Sequence, residues 1–273
     1  MSNKDRLDNL RAQGLILHSL RSWFFTRGYT EVQTPIAVPS AALEENLQAI
    51  RIADVPLFLH TSPEFAMKRR LADGLCRIYQ IAHCFRGEEL GPHHGMEFRM
   101  LEWYRVGASW WDIANETIDL ISHLYEEVEL SPPKFDWIAT SELLSPNLAP
   151  KDWYFEWVDH IEPNLPNACI VYDYPKWQAA LARTRHGVAE RFEVYIEGIE
   201  LANAFDEESS SEEIRKRWTQ SNAIRTVQEK SIHPIDEDFL QAIDRMPRCS
   251  GIALGIDRLM MLLLKQTSIH GLL

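Results

Sequence analysis

Between Lys4 and Arg27 apolar residues fall at Leu7, Leu10, Leu17, Leu20 and Phe24, the spacing of one helical face, and Gly28 follows as a C-terminal stop. GYTEVQTPI then reads as extended chain closed by Pro35, and Ile50 to His60 as two short strands. Ser62-Pro63 predicts a helix start, with Ser as cap and Pro at the first helical position, running to about Gly74. Strands are expected over Arg77 to Arg86 and Phe98 to Val106, joined by the polar loop GEELGPHHGME. Ser109 with Asp112 three residues on resembles a capping box for a helix reaching about Val128. Six prolines between Ser131 and Asn167 predict short helices joined by loops. A strand near Ile170 to Tyr172 and a helix near Trp177 to Ala182 come next. A strand, turn at Gly198 and strand follow over Arg191 to Phe205, then a polar helix over Ser211 to Glu229. SGIALG reads as a strand and IDRLMMLLLK as an apolar helix. Strands mix with helices without a regular βαβ rhythm, and neither GxxxxGK[ST] nor GxGxxG occurs, so the expectation is α+β with a largely antiparallel sheet.

Composition narrows this further. At 273 residues, 45% hydrophobic and with 28 aromatic side chains, the chain can bury a large core without staples. A net charge of −12 argues against a protein whose main business is a nucleic-acid backbone, because such proteins neutralise phosphates with Lys and Arg. The N-terminal residues carry no signal-peptide pattern, and the most apolar tract, Ile256 to Leu264, is interrupted by Asp257 and Arg258, so no membrane span is expected. Cys76, Cys84, Cys169 and Cys249 form no CxxC pair and read as reduced, buried thiols of a cytoplasmic protein.

Four clusters carry candidate chemistry. On Phe98–Tyr104, period two places Phe98, Met100, Glu102 and Tyr104 on one face, a pocket wall suited to an amino group; a half-exposed strand would look the same. Arg86 and Glu88 share a face, where Arg suits a phosphate or carboxylate and Glu an exocyclic amine; a surface ion pair is the plainer alternative. In the loop, His93-His94 suits phosphate contact better than metal chelation, and a simple surface His is more common than either. In ERFEVYIEGIELANAFDEE, a two-residue turn at Glu197-Gly198 would pair Tyr195 with Glu200 and set Glu193 diagonally from Glu200, two carboxylates suited to Mg²⁺ or simply a solvated acidic face. Arg258, in the first turn of an apolar helix, favours an anion or a neighbouring carboxylate.

Taken in order, the clusters resemble the catalytic core of class II lysyl-tRNA synthetases and, more closely, their stand-alone paralogues, the elongation factor P–lysine ligases. EVQTP resembles motif 1, FRGEE through EFRMLEWY motif 2, and SGIALGIDRLMML motif 3; TSPEFAMKR and RFEVYIEGIELANAF are family-specific. The resemblance implies a single class II aminoacyl-tRNA synthetase catalytic domain over 1–273, an antiparallel sheet flanked by helices, with space for only one helix before motif 1 and hence no anticodon-binding domain. It implies ATP and Mg²⁺, a homodimer through motif 1, and a cytoplasmic location. Arg86 would hold the α-phosphate and substrate carboxylate, Glu88 the adenine amino group, and Phe98 and Arg258 the two adenine faces. Arg258 would also reach the γ-phosphate, and His94 the triphosphate tail. Glu193 and Glu200 would hold Mg²⁺. Glu64 would meet the substrate's nearer amino group, Glu102, Tyr104 and Glu207 its distal ammonium, and Asn203 its carboxylate end.

Ala253 stands where synthetases resemble Gly, a change that accompanies (R)-β-lysine preference in the ligases; the resemblance then implies a lysine side chain of elongation factor P as the acceptor. The alternatives are a truncated enzyme charging tRNA, which Ala253 opposes, or adenylation with another acceptor. Departures from the family pattern fall at Gly87, Pro92, Gly95-Met96, Ala204, Asp206 and Glu208. Simple alternation sets Asn203 and Glu207 on the opposite face from Glu200, so a bulge or break near Leu201-Ala202 is required if all three share one site.

Overall fold

The computed structural model describes residues 3–87, 91–145 and 147–272, with side chains from Arg6 onward. In chain order the elements are α1 (Asn3–Thr26), β1 (Thr30–Glu31), β2 (Ala37–Val38), β3 (Ile50–Arg51), β4 (Phe58–Leu59), α2 (Glu64–Ala72), β5 (Arg77–Phe85), β6 (Glu97–Val106), α3 (Trp110–Glu127), β7 (Asp136–Ala139), α4 (Thr140–Leu143), α5 (Pro150–Glu156), β8 (Ala168–Pro175), β9 (Thr184–Arg185), β10 (Val188–Ile196), β11 (Ile199–Asp206), α6 (Ser211–Val227), α7 (Glu237–Ile243), β12 (Cys249–Gly255) and α8 (Ile256–Leu263). The main sheet runs β1-β5-β6-β12-β11-β10-β8-β7, with β9 on the end of β10. Its interior is antiparallel; among the described residues the only parallel pairs in it, β1/β5 and β7/β8, close its two ends.

Alternation along the central strands gives the sheet two unlike faces. Leu101 and Trp103 of β6, Ile252 and Leu254 of β12, Ala202 and Ala204 of β11, and Phe192 and Val194 of β10 all enter one core with α1, α3 and α8. There Phe24 stacks on Tyr79 with ring centroids 4.3 Å apart and meets Trp103 edge-on at 5.5 Å. Each such large side chain, fully buried, contributes about 1.5–3 kcal/mol. The alternate residues on the other face turn toward α2, α6 and α7, where Met67, Leu71, Trp218 and Phe239 form a second apolar cluster with Tyr104 and Tyr195. The candidate polar residues occupy what that cluster leaves open.

Local signals place the ends of several elements. Pro63, and not Ser62, is the N-cap of α2, and just before it the Ser62 hydroxyl accepts from the Glu64 N–H at 2.9 Å. Ser109 and Asp112 exchange the reciprocal bonds of a capping box at α3. The β10–β11 hairpin turns at Glu197-Gly198, both at positive φ (53° and 72°), the backbone that two-residue hairpin turns favour.

Three further expectations are corrected. The helix near Trp177 to Ala182 is a single tight turn, Lys176–Gln178, after which Ala180 at φ 46° breaks the path. The proline-rich stretch holds its short helices but also β7, which extends the sheet parallel to β8; four residues beside Pro132 and Pro133 are too short to register as a periodic pattern. Cys76 is exposed just after the Gly74 turn, whereas the other three thiols are buried, and burial pushes those of Cys84, Cys169 and Cys249 upward.

Candidate functional site

A cavity of about 360 Å³, within the usual range for small-molecule sites, opens on the second face of the sheet across β6, β12, β11 and β10. Glu64, Arg86, His94, Phe98, Glu102, Tyr104, Glu193, Glu200, Asn203, Glu207, Ala253 and Arg258 all line it. Glu88 lies outside the described residues.

At the deep end three carboxylates converge. Ser62 Oγ donates to Glu102 Oε1 at 2.6 Å, and the Tyr104 hydroxyl donates to Glu102 Oε2 at 2.9 Å. Lys68, one helical turn after Glu64, is wholly buried and places its Nζ 2.6 Å from Glu64 Oε1 and 2.5 Å from Glu207 Oε2. Three carboxylates facing one ammonium leave the pocket acid-rich. Burial, and then the Glu64 charge, push Glu102 up to about 8. Burial also pushes Glu207 up to about 8, against the pull of Lys68. Burial would lower the Lys68 ammonium, but Glu207 and Glu64 outweigh it and hold it above its ordinary value.

Tyr104 requires its neighbour to be glycine. A Cβ on Gly251 would lie 2.2 Å from the Tyr104 ring. In the ladder Ala253 stands between Glu102 on β6 and Asn203 on β11, so its methyl sits on the cavity floor between two candidate substrate groups.

The outer end is cationic. The Arg86 guanidinium lies over the Phe98 ring, 5.1 Å from its centroid. Arg258 donates from Nη1 to the Glu200 carbonyl at 2.6 Å and from Nε to the His93 carbonyl at 3.1 Å. Its Nη2 donates to His94 Nε2 at 2.6 Å, and because a guanidinium only donates, that ring nitrogen must be unprotonated. One side chain thus ties the β5–β6 loop to β11. Asp257 makes a second tie, accepting from the Arg99 backbone N–H and Nε at 2.7 Å each.

Between the two ends lie Glu193 and Glu200. Tyr195 pairs with Glu200 as the two-residue turn requires. The register then slips: Val194 faces Ala202, leaving Leu201 without a partner. This bulge brings Asn203 and Glu207 to the same side as Glu200, and it lies where the sequence demanded it. Glu193 Oε2 accepts from the hydroxyls of Tyr174 at 2.5 Å and Tyr195 at 2.6 Å, while Oε1 accepts from Arg191. Glu200 shows no hydrogen bond to its carboxylate among the described residues. It is raised by desolvation and then by the Glu193 charge, even though 39% of its side chain stays exposed at the cavity mouth.

Several participants escaped the sequence reading. Lys68 was signalled by its position four residues after Glu64. Arg191 was signalled by its two-residue offset from Glu193; it also donates to Asn203 Oδ1 at 3.1 Å. Tyr174 comes from a distant strand and had no local signal. Two departures from the family pattern have structural reasons. Gly87 packs on the β2–β3 connection, its N–H donating to the Gln48 carbonyl at 2.8 Å, and a Cβ there would meet the Gln48 side chain at 3.1 Å. Ala204 faces the core opposite Ile252, not the cavity.

Residues 1–273 match the family described as tRNA synthetases class II (D, K and N). A protein of Erwinia tasmaniensis named elongation factor P–(R)-β-lysine ligase is 36% identical, with 94% of this chain and 91% of that protein covered. A protein of the same name from Sodalis glossinidius has the same identity and coverage. An Aquifex aeolicus protein named as a homologue of that ligase is 33% identical over 94% of this chain and 96% of its own length. The chain belongs to the class II tRNA synthetases of the D, K and N group, on the branch of the elongation factor P–(R)-β-lysine ligases.

Proposed function

We propose that this protein is an ATP-dependent ligase that activates (R)-β-lysine, or lysine, as its adenylate and transfers it to a lysine side chain of elongation factor P. The observation that carries the reading is the acid-rich end of the cavity. Among the described residues Glu64, Glu102 and Glu207 share a single ammonium, Lys68, and a buried carboxylate excess calls for a cationic ligand. An amino acid with two ammonium groups fits that need. The identity of the acceptor comes from the names of the relatives.

In this reading the distal ammonium sits among Glu102, Tyr104 and Glu207, and the second amino group meets Glu64. The carboxylate points toward Asn203 and Arg86. Adenine lies between Phe98 and Arg258, and His94 and Arg258 face the triphosphate; the family resemblance assigns the adenine amino group to Glu88. A substrate carboxylate oxygen attacks the α-phosphorus, the bond to the bridging oxygen breaks, and pyrophosphate leaves with the electron pair. Arg86 offsets the charge that builds on the α-phosphate, and the rest of the work is positioning. No side-chain nucleophile is required. The acceptor amine then attacks the adenylate carbonyl carbon and AMP departs.

The donor set fits Mg²⁺. Glu200 receives no hydrogen bond at its carboxylate among the described residues, only the Arg258 guanidinium at 4.0 Å, Glu193 Oε1 retains a lone pair beside its bond from Arg191, and both offer the hard oxygen ligands this ion takes. These two residues would hold it, and when bound it would neutralise triphosphate charge. Ala253 on the cavity floor supports β-lysine over a tRNA-charging role. Leu7, Leu10, Leu15 and Phe25, exposed on α1, offer apolar surface for a homodimer. Among the described residues no helix is long and apolar enough to cross a membrane, and we place the activity in the cytoplasm.

Intact-mass measurement tests the reading. The protein, ATP and Mg²⁺ are mixed with (R)-β-lysine or L-lysine, and with elongation factor P or tRNA. One lysyl mass added to elongation factor P, faster with β-lysine, is expected. Charging of tRNA in its place would overturn the acceptor; absence of pyrophosphate exchange with either amino acid would overturn the substrate.

A further inference from the structure

One carboxylate in the cavity has no task in this scheme. Glu44, on the connection between β2 and β3, lines the active cavity and also a second cavity of about 470 Å³ under α6. With Leu43 and Arg191 it forms the wall the two share. The other acidic groups of the active cavity are engaged or assigned: Glu64 and Glu207 hold Lys68, Glu102 accepts from Ser62 and Tyr104, Glu193 from two tyrosines and Arg191, Asp257 from Arg99, and Glu200 faces the cation site. Glu44 receives no hydrogen bond at its carboxylate among the described residues, and it lies in the electrostatic reach of Arg86, the group set beside the reacting carbonyl.

This deepens the proposed function and rests on it. The acceptor is an alkyl ammonium, which cannot attack a carbonyl until it loses a proton, and nothing in the adenylation half-reaction supplies a base for that step. We propose that Glu44 is that base: the acceptor lysine reaches the adenylate at the wall between the two cavities, and the Glu44 carboxylate takes a proton from its ammonium. The freed lone pair then forms the C–N bond, the bond from the carbonyl carbon to the phosphate oxygen breaks, and AMP leaves with that electron pair. The second nitrogen proton passes to the departing phosphate, and Glu44 returns its own to water through the second cavity.

The surroundings suit the task. Burial raises Glu44 above its ordinary value, toward the pH of use, and Glu64 and Glu45 add to that, while Arg191 and Arg86 oppose it. On the side of the second cavity the other charged groups are Glu45, Lys176, Arg191, Glu213, Lys216 and Arg217. Tyr154 and Trp177 line the same cavity, with rings 5.2 Å apart, and give a lysine stem an apolar surface to lie on.

The test separates the half-reactions in Glu44→Gln, with Glu44→Asp as the conservative control. Single-turnover transfer from preformed adenylate to elongation factor P should fall about 100-fold or more at neutral pH, whereas pyrophosphate exchange falls less than about tenfold. The variant's transfer rate should climb steadily with pH, as the acceptor deprotonates unaided, where the wild type levels off; Glu44→Asp should recover part of the loss. Hydroxylamine, unprotonated at neutral pH, should capture the adenylate nearly as fast in the variant, but n-butylamine should not. Equal losses in both half-reactions, equal losses with both small amines, or transfer to elongation factor P and butylamine no faster in the wild type than in Glu44→Gln would each overturn the proposal. Failure of the wild type to modify elongation factor P while it still aminolyses butylamine would instead refute the acceptor named above and leave Glu44 to be decided by the small amines.

Discussion

Replacing Glu102 by Gln should make this protein more stable and less able to bind its amino acid. The amide can keep partners in Ser62 and Tyr104, so the change removes charge with little loss of hydrogen bonding. A carboxyl that moves from 4.5 to about 8 on folding costs the fold on the order of 3 kcal/mol at pH 7. The sign follows from the raised value: the cost is absent below the unfolded value and grows as pH climbs toward 8. Glu207 is linked to the same titration and relaxes with it, so a net gain of about 1–3 kcal/mol is expected near pH 8, a rise in Tm of roughly 2–5 °C for a chain of this length. Near pH 5 the two proteins should melt almost together. Removing one partner of a buried charged contact costs binding about 2–5 kcal/mol, which raises the amino-acid KM in pyrophosphate exchange by roughly 30-fold to several thousandfold. Calorimetry at the two pH values and exchange kinetics read both effects. A lower Tm for Glu102→Gln at pH 8, or an unchanged KM, would refute the argument.

Other substitutions probe the same pocket from different sides. Lys68→Met leaves Glu64 and Glu207 without their shared cation and should cost about 3–5 kcal/mol by denaturant titration at pH 8, less near pH 5 where the carboxyls protonate. Gly251→Ala drives a methyl into the Tyr104 ring, so about 1–3 kcal/mol of overpacking and a displaced phenol should appear as a lower Tm together with lost exchange activity. Ala253→Gly removes a methyl between Glu102 and Asn203 and should raise the ratio of kcat/KM for L-lysine over (R)-β-lysine by about tenfold or more, measured by exchange with each amino acid.

What could be read from the chain alone was whatever repeats locally. The alternation over Phe98–Tyr104 assigned Glu102 and Tyr104 to one face and Leu101 and Trp103 to the other, because a strand fixes that division by geometry. The hairpin register followed from two turn residues able to adopt positive φ. Tertiary partners were invisible. Tyr174 reaches Glu193 from another strand, and Lys68 reaches Glu207 across the cavity, contacts no local pattern announces. β7 was missed because four residues give too little period to count, and the helix expected near Trp177 gave way to a tight turn that buries Gln178 and Ala179 against β10. Glu44 carries no local signal in the sequence; its place on a wall between two cavities distinguishes it.

The unpaired Leu201 acts as a phase shifter. Leu201 and Ala202 are adjacent in the chain, yet both enter the core, which regular alternation forbids. Upstream of them the cavity reads one parity of the strand; downstream it reads the other. Residue count, more than residue chemistry, is therefore what this hairpin must keep constant. Val or Met at position 201 would alter packing by a methylene or so, but deleting the position would turn Asn203 and Glu207 into the core or Glu200 out of the cavity. Every candidate ligand would still be encoded, and no single site would hold them together.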